Sequence, residues 1–347
     1  MATVNRTELL TVLERVQAGV ASNGFVQQSD CFIFDSGKVV TFNAEVACRS
    51  PSGMSDTIRG AVKASPLLNF LRQNKEENMD VEVKENCLWL KEAKGSGKAY
   101  FRMENEILLS LDKVEDAKDW TAVPSGLTEA IGMVEPAAGT NEKIFASVCV
   151  HLHPKWVEAS DTIQIARYKM KTGLPTSVVV RRDAVKHVVK IPMTRMSVTD
   201  AWFHMKDKTG FVFSCRRYTD ENGYPDLSPH LAKDGDKLTL PKQLTDTLTI
   251  AETFSKENSD DNLVRVELKQ GRLWVSADGV SGGYSKPKKV DYTGKDIEFV
   301  VNPNLMKTVM EHSRECFVNQ DILKVDGGRF VFVVSLEAPA KAKKEGE

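Results

Sequence analysis

Short runs of apolar residues at helical spacing recur six times along the chain, roughly sixty residues apart, and stretches of single alternation follow each run. Leu9, Leu10, Leu13, Val16 and Val20 fall on one face of the first segment, and Leu67, Leu68 and Leu71 on one face of the second. Leu127, Ile131 and Val134 mark the third, and Val185, Val188 and Val189 the fourth. Leu244, Leu248 and Ala251 mark the fifth, and Leu305, Val309 and Met310 the sixth. The segments begin near Thr7, Ser65, Ser125, Asp183, Pro241 and Pro303. Thr7, Ser65, Ser125 and Asp183 are the expected N-caps, while Pro66, Pro241 and Pro303 suit a first helical turn. A short helix with a few strands cannot bury its own apolar face, so six copies predict a quasi-symmetric array.

Between these segments the period is two. Asp80 to Lys84, Val264 to Leu268 and Leu273 to Val275 alternate, and polar turns such as Lys94-Gly95-Ser96-Gly97, Glu221-Asn222-Gly223 and Asp326-Gly327-Gly328 separate such runs. Strands outweigh helices, so the expected class is α+β with mainly antiparallel sheets. A chain of 347 residues exceeds one ordinary core. Pairing the six units gives three domains of about 110 residues, an ordinary domain size. The polar stretches Asp119-Trp120-Thr121-Ala122 and Lys233-Asp234-Gly235-Asp236 place the cuts, giving domains 1–122, 123–234 and 235–337, with 338–347 as a disordered tail of Ala, Lys and Glu.

No apolar stretch approaches membrane-spanning length and no signal-peptide core opens the chain, so a cytoplasmic protein is expected. Cys31, Cys48, Cys87, Cys149, Cys215 and Cys316 are scattered singly, which reads as reduced core residues. The sequon Asn5-Arg6-Thr7 carries no weight in that compartment.

The net charge of −1 argues against a surface coated in basic patches, but the charges are unevenly placed. Lys63, Arg72 and Lys75 lie at the second helical segment, and Arg181, Arg182, Lys186, Lys190 and Arg195 at the fourth. Lys242 and Lys256 flank the fifth, and Lys307 and Arg314 belong to the sixth. Acidic residues gather at Glu76-Glu77, Asp112 to Asp119, Asp220-Glu221 and Asp260-Asp261. Basic residues on one exposed helix are ordinary solvation, and the third segment carries only Glu129 and Glu135. Repetition of one sign over several helices of a neutral chain points instead to a shared cationic side.

Other chemical signals are faint. His151 and His153 share a strand face at a spacing zinc can use, with His187 or His204 as a third ligand, but no Cys or carboxylate cluster accompanies them. Gly95-Ser96-Gly97-Lys98 lacks the upstream glycine and following Ser or Thr of a phosphate-binding loop and reads as a hairpin turn. No metal, cofactor or catalytic constellation is expected, and so no enzyme.

Three stretches carry a family resemblance. Val290 to Val309 is similar to the third-domain segment of the bacterial-type DNA polymerase sliding clamps, the beta subunit of the replicative polymerase. Gly223-Tyr224-Pro225-Asp226 resembles their corner closing domain two, and Arg329 to Leu336 their final strand. The resemblance implies three domains of two helix-plus-sheet units each, forming half of a closed ring. It implies a homodimer in which twelve helices line a pore, sequence-independent contact with double-stranded DNA, and a DNA polymerase and clamp loader as partners. Arg72, Lys75, Arg181, Arg182, Lys186, Lys190, Lys307 and Arg314 are then the candidate phosphate neighbours, and Ile163, Ile165, Phe332 and Val334 the candidate peptide-groove residues. Ser160 to Ile165 departs from the family's Thr-Asp-Gly-[His/Tyr]-Arg-Leu strand, keeping the Asp and a final aliphatic, so a groove is expected with its partner motif open. Such divergence suits a clamp from a virus or mobile element. A β-rich structural or interaction protein without DNA encirclement, and an enzyme assembled from distant residues, are the competing readings.

Overall fold

The structure, a computed structural model, describes residues 2–22, 26–218, 223–257 and 262–338. The acidic pairs at 220–221 and 260–261, the first two residues of the turn at 221–223, and residues 339–347 of the expected tail lie outside the described residues.

All six expected segments are helical: α1 (Arg6–Val16), α2 (Ala64–Gln73), α3 (Leu127–Val134), α4 (Arg182–Val185), then, past an unexpected single turn α5 (Ser228–Leu231), α6 (Leu244–Ser255) and α7 (Pro303–His312). The starts differ in detail. Asn5, not Thr7, caps α1, its Oδ1 accepting from the Thr7 and Glu8 amides at 2.9 and 3.1 Å. Ser65 lies one residue inside α2, Ser125 precedes α3 in a turn, and Asp183 sits within α4. Pro241 stands ahead of α6 in a turn closed by the Leu244 amide at 3.0 Å, whereas Pro303 does open α7 behind the Asn302 cap. The α4 segment is only one turn, continued as 3₁₀ over Lys186–Val188. Its β-branched valines and the disfavoured helical backbone before Pro192 stop it there.

By compactness the chain forms two units, residues 1–132, 150–154 and 171–223, and residues 133–149, 155–170 and 224–347. The first holds a continuous antiparallel run. Ala2–Asn5 pairs with Asn78–Lys84, which leads through Cys87–Glu92 and Lys98–Glu104 to Gly60–Lys63. Cys31–Asp35, Lys38–Phe42 and Val46–Pro51 follow, and then Val212–Tyr218, Trp202–Lys206, Arg195–Val198 and Thr121–Ala122. The expected linker at Ala122 is therefore pinned as a strand against Arg195 and Met196. Helices α1 and α2 pack side by side, with Leu9, Leu13, Val16, Leu67, Leu68 and Leu71 buried.

The second unit has two sheets. One runs Trp156–Ser160, Gln164–Lys169, Phe330–Ser335, Ile322–Asp326, Glu315–Val318 and Asp236–Thr239. The other runs Gly282–Lys289, Arg272–Gly279, Val264–Lys269 and Ile297–Val301 under α6, while α7 packs beside α6 and against Ile322–Asp326 of the first sheet. The middle third of the chain is shared between the units because its two outer strands pair with different neighbours. Val212–Tyr218 joins Val46–Pro51, and Gln164–Lys169 joins Phe330–Ser335. Five of the six cysteines are buried and Cys87 is half-buried, and burial raises the thiols of Cys31, Cys48, Cys215 and Cys316.

Candidate functional site

The candidate cations are mostly paired within the chain. Arg72 donates from Nε to Glu14 Oε1 at 2.9 Å and from Nη2 to Gln17 Oε1 at 3.3 Å, which ties α2 to α1. Lys186 Nζ reaches Asp183 Oδ1 at 2.6 Å, three residues back. Lys307 is 20% exposed and held at 2.6 Å by Glu252 Oε2, while Lys256 takes the other carboxylate oxygen at 2.8 Å. Lys307 thus links α7 to α6 rather than standing free. Arg314 Nη1 donates to the Leu240 carbonyl at 3.5 Å, Arg181 lines a cavity, Arg182 is half-buried, and Lys75 and Lys190 are exposed. On α6 the exposed positions include Thr245, Thr249 and Thr253, and the last two return their hydroxyl protons to carbonyls one turn back. That helix offers hydroxyls on its exposed side, with Lys242 and Lys256 only flanking it.

The groove candidates divide by strand face. Ile165 lies opposite Val333 and Arg167 opposite Val331, so these side chains share one face of the sheet. There Ile165, Val331, Val333, Leu227 and Ile322 form an apolar cluster, with Tyr224 and Leu231 of the following segment against it. Phe332 and Val334 point to the opposite face and are buried, Phe332 with its ring 5.3 Å from His312 of α7. A one-residue slip along a strand exchanges the faces completely. Ile163 is 48% exposed and lines a separate cavity of about 420 Å³ with Leu263, Val300, Asn302 and Leu305. Val331 and Val333 stand in a run where every position is apolar, and only the register against Ile165 places them in this cluster.

On this same face Arg167 and Glu158 form a buried ion pair, with Nη2 and Nε at 2.6 and 2.7 Å from Oε2. Arg167 Nη1 also donates to Ser228 Oγ at 3.1 Å, which fixes α5 over the sheet.

The metal candidates do not converge. His151 and His153 have ring centroids 5.8 Å apart, and His204 has its two ring nitrogens at 2.7 Å from Ser214 Oγ and 3.2 Å from Thr199 Oγ1. Burial pushes His204 down to about 4. Among the described residues no three His, Cys, Asp or Glu side chains gather as a metal site.

No protein-family model and no curated protein matches the sequence. Solved structures do match. The DNA polymerase III beta subunit of Thermotoga maritima aligns at 16% identity over 97% of this chain and 99% of its own, with a TM-score of 0.83. That of Streptococcus pneumoniae aligns at 15% identity over 97% and 99%, with a TM-score of 0.80. That of Pseudomonas aeruginosa aligns at 16% identity over 96% and 98%, with a TM-score of 0.78. The chain has the sliding-clamp fold. Mixed helix and antiparallel sheet, the helix-plus-sheet repeat and the near-complete overlap with these beta subunits all agree with the class read from the sequence. Among the described residues no helix is long and apolar enough to cross a membrane.

Proposed function

We propose that this chain is a DNA sliding clamp, a ring that encircles duplex DNA and tethers a replicative DNA polymerase. The observation that carries the reading is the clamp fold over 97% of the chain, achieved at 16% identity, with a helix at each of the six repeated positions. The domains are 1–122, 123–234 and 235–337, and two protomers close head to tail, since a heterologous contact that closes after one twofold step gives six domains. Two sheet edges suit that contact. Among the described residues Gly282–Lys289 pairs on one side only, with Arg272–Gly279, and Lys98–Arg102 has its second side open, its neighbours Met103 and Glu104 alone reaching Gly60–Lys63. Exposed Tyr100 lies on the second edge, and exposed Ile250 on α6, which packs on the strand of the first. A clamp loader opens the ring, and the protein works in the cytoplasm.

Retention is topological in this reading, and the role needs no catalytic group. Arg72, Lys75, Arg181, Arg182, Lys186, Lys190, Lys307 and Arg314 meet phosphates without base readout, leaving little sequence dependence to resist sliding. Because Arg72, Lys186 and Lys307 already hold carboxylates, a phosphate must displace an internal partner, which keeps each contact weak. The partner peptide docks at the cavity of exposed Ile163, beside the covered apolar cluster of Ile165, Val331 and Val333.

The deciding experiment loads the protein on a plasmid and follows it through gel filtration at moderately high salt before and after the plasmid is linearised. The protein is expected to stay with the circle and to leave the linear form. Equal loss from both forms overturns encirclement. A second measurement tests the internal pairing. Glu14→Gln and Asp183→Asn free Arg72 and Lys186, and each is expected to steepen the salt dependence of DNA binding by about one unit of slope. Fluorescence anisotropy across a salt series reads this directly, and unchanged slopes would remove these cations from the DNA contact.

A further inference from the structure

Two corners of the fold are built to one plan. In the first, Asn43 Oδ1 accepts from the Glu45 and Val46 amides at 3.1 and 2.8 Å, and Ala44 between them has φ +75°. The Glu45 carbonyl accepts from the Arg216 amide at 2.8 Å, and the strand continues with Ala47 opposite Ser214. In the second, Asp161 Oδ1 accepts from the Ile163 and Gln164 amides at 2.9 and 2.8 Å, and Thr162 has φ +81°. The Ile163 carbonyl accepts from the Ser335 amide at 2.7 Å, and the strand continues with Ile165 opposite Val333. Left-handed backbone at a non-glycine residue is uncommon, and its recurrence at the same step of the same turn fixes the equivalence. A helix start closes each corner: cap Arg181 and then Arg182, Asp183 and Ala184 in the first, cap Asn302 and then Pro303, Asn304 and Leu305 in the second. Position by position, Glu45 therefore answers to Ile163, Arg181 to Asn302, Asp183 to Asn304 and Ala184 to Leu305.

Each corner encloses a cavity, and their linings differ in charge. The second, of about 420 Å³, presents Ile163, Leu263, Val300 and Leu305 together with Asp161, the neutral Asn302 and Asn304, and Glu337. The first, of about 870 Å³, presents Glu14, Glu45, Arg181, Asp183, Lys186 and His187. Its charges are engaged: the Tyr218 hydroxyl donates to Glu45, Lys186 holds Asp183, and Arg72 holds Glu14. The larger space is thus the ionic one. An apolar side chain entering it would strip water from charged groups while giving them no hydrogen-bond partner. The same side chain entering the second corner would meet Ile163, Leu263, Val300 and Leu305, and at the positions matching Arg181 and Asp183 the neutral Asn302 and Asn304.

We infer that Glu45, Arg181 and Asp183 are specificity-determining residues that close the first corner to the apolar peptide segment received by the second, so that each protomer offers one docking site. This inference rests on the reading of the Ile163 corner as the docking site. It is discrimination by a repulsive element as well as by an attractive one. A repeat-built fold generates pseudo-equivalent grooves, and three side chains suffice to silence one of them.

The test transplants the second corner onto the first with Glu45→Ile, Arg181→Asn and Asp183→Asn. The full-length variant is compared with wild type and with Ile163→Glu. The probe is a fluorescent decapeptide with two adjacent leucines, selected on wild-type protein from a randomised display, and isothermal titration gives the stoichiometry. Wild type is expected to bind one peptide per protomer, and Ile163→Glu to weaken binding about tenfold or more. The triple variant is expected to gain a second site per protomer. Adding Ile163→Glu to the triple variant should then leave the new site alone, which keeps the result readable if one variant folds poorly. A folded triple variant that still binds a single peptide overturns the inference and leaves the docking site standing. A selected peptide whose affinity ignores Ile163→Glu overturns both.

Discussion

Arg167→Met is expected to lower the free energy of unfolding of its unit by about 3–5 kcal/mol, because it strands a buried carboxylate. The two side chains are 10% and 2% exposed, and the Glu158 carboxylate is bonded at both oxygens, by Arg167 on Oε2 and by Trp156 Nε1 at 2.8 Å on Oε1. The guanidinium carbon stands 4.6 Å from the centre of the Trp156 ring, so packing is lost with the charge. Glu158→Gln placed in the same chain should recover much of the loss, since the orphan is then neutral and still accepts from the indole. Urea unfolding followed by tryptophan fluorescence reads both variants, analysed separately from the other unit, because a chain of two compact units need not unfold in one step. A loss in the single variant below about 1 kcal/mol, the range of exposed pairs, would show that Glu158 finds water or another donor. The same variant should raise the protease sensitivity of α5, whose Ser228 loses its hold on the sheet.

The six helices were legible because each depends on a local pattern, apolar residues three and four apart, that tertiary contacts reinforce. The caps were not, because several oxygen-bearing side chains stand near each start and the winner depends on backbone geometry. Asn5 reaches two amides from outside the helix, a position Thr7 cannot hold from within the first turn. The strands at Asp80, Val264 and Leu273 were readable from alternation, whereas Phe330 to Val334 is apolar throughout and carries no facing signal. Only its hydrogen-bonded register to Gln164–Lys169 assigns Val331 and Val333 to the cluster and Phe332 to the helix side. The candidate cations were visible as residue types, but not their partners. Asp183 lies one turn from Lys186 and could be read, while Glu14 is 58 residues from Arg72 and Glu252 is 55 from Lys307. Charge counted along a helix therefore overstates the charge that helix offers to a phosphate.

Acid should unlock the node that joins α6 to α7. The Glu252 carboxyl is held down at about 2, from an ordinary 4.5, first by its bond to Lys256 and next by Lys307, against an opposing effect of burial. Asn262 Nδ2 and Asn304 Nδ2 add donors at 3.3 and 3.4 Å. A carboxylate with a depressed folded-state pKa contributes stability that is full above its unfolded value and disappears as pH falls through the folded one. The window here runs from about 4.5 down to about 2, and the side chain is 11% exposed, so the contribution is about 3 kcal/mol. Wild type should therefore lose stability in this unit between pH 6 and pH 3, while Glu252→Gln starts lower and loses correspondingly less over the same interval. Chemical unfolding at the two pH values, with hydrogen exchange of the α6 amides as the local readout, measures the difference. Parallel losses in both proteins would mean that Lys256 and Lys307 are not what holds the carboxylate ionised. The substitution also separates two roles of Lys307. If that lysine meets DNA, releasing it from Glu252 should strengthen DNA contact even as the helix pair weakens, and opposite signs in the two measurements are the expected result.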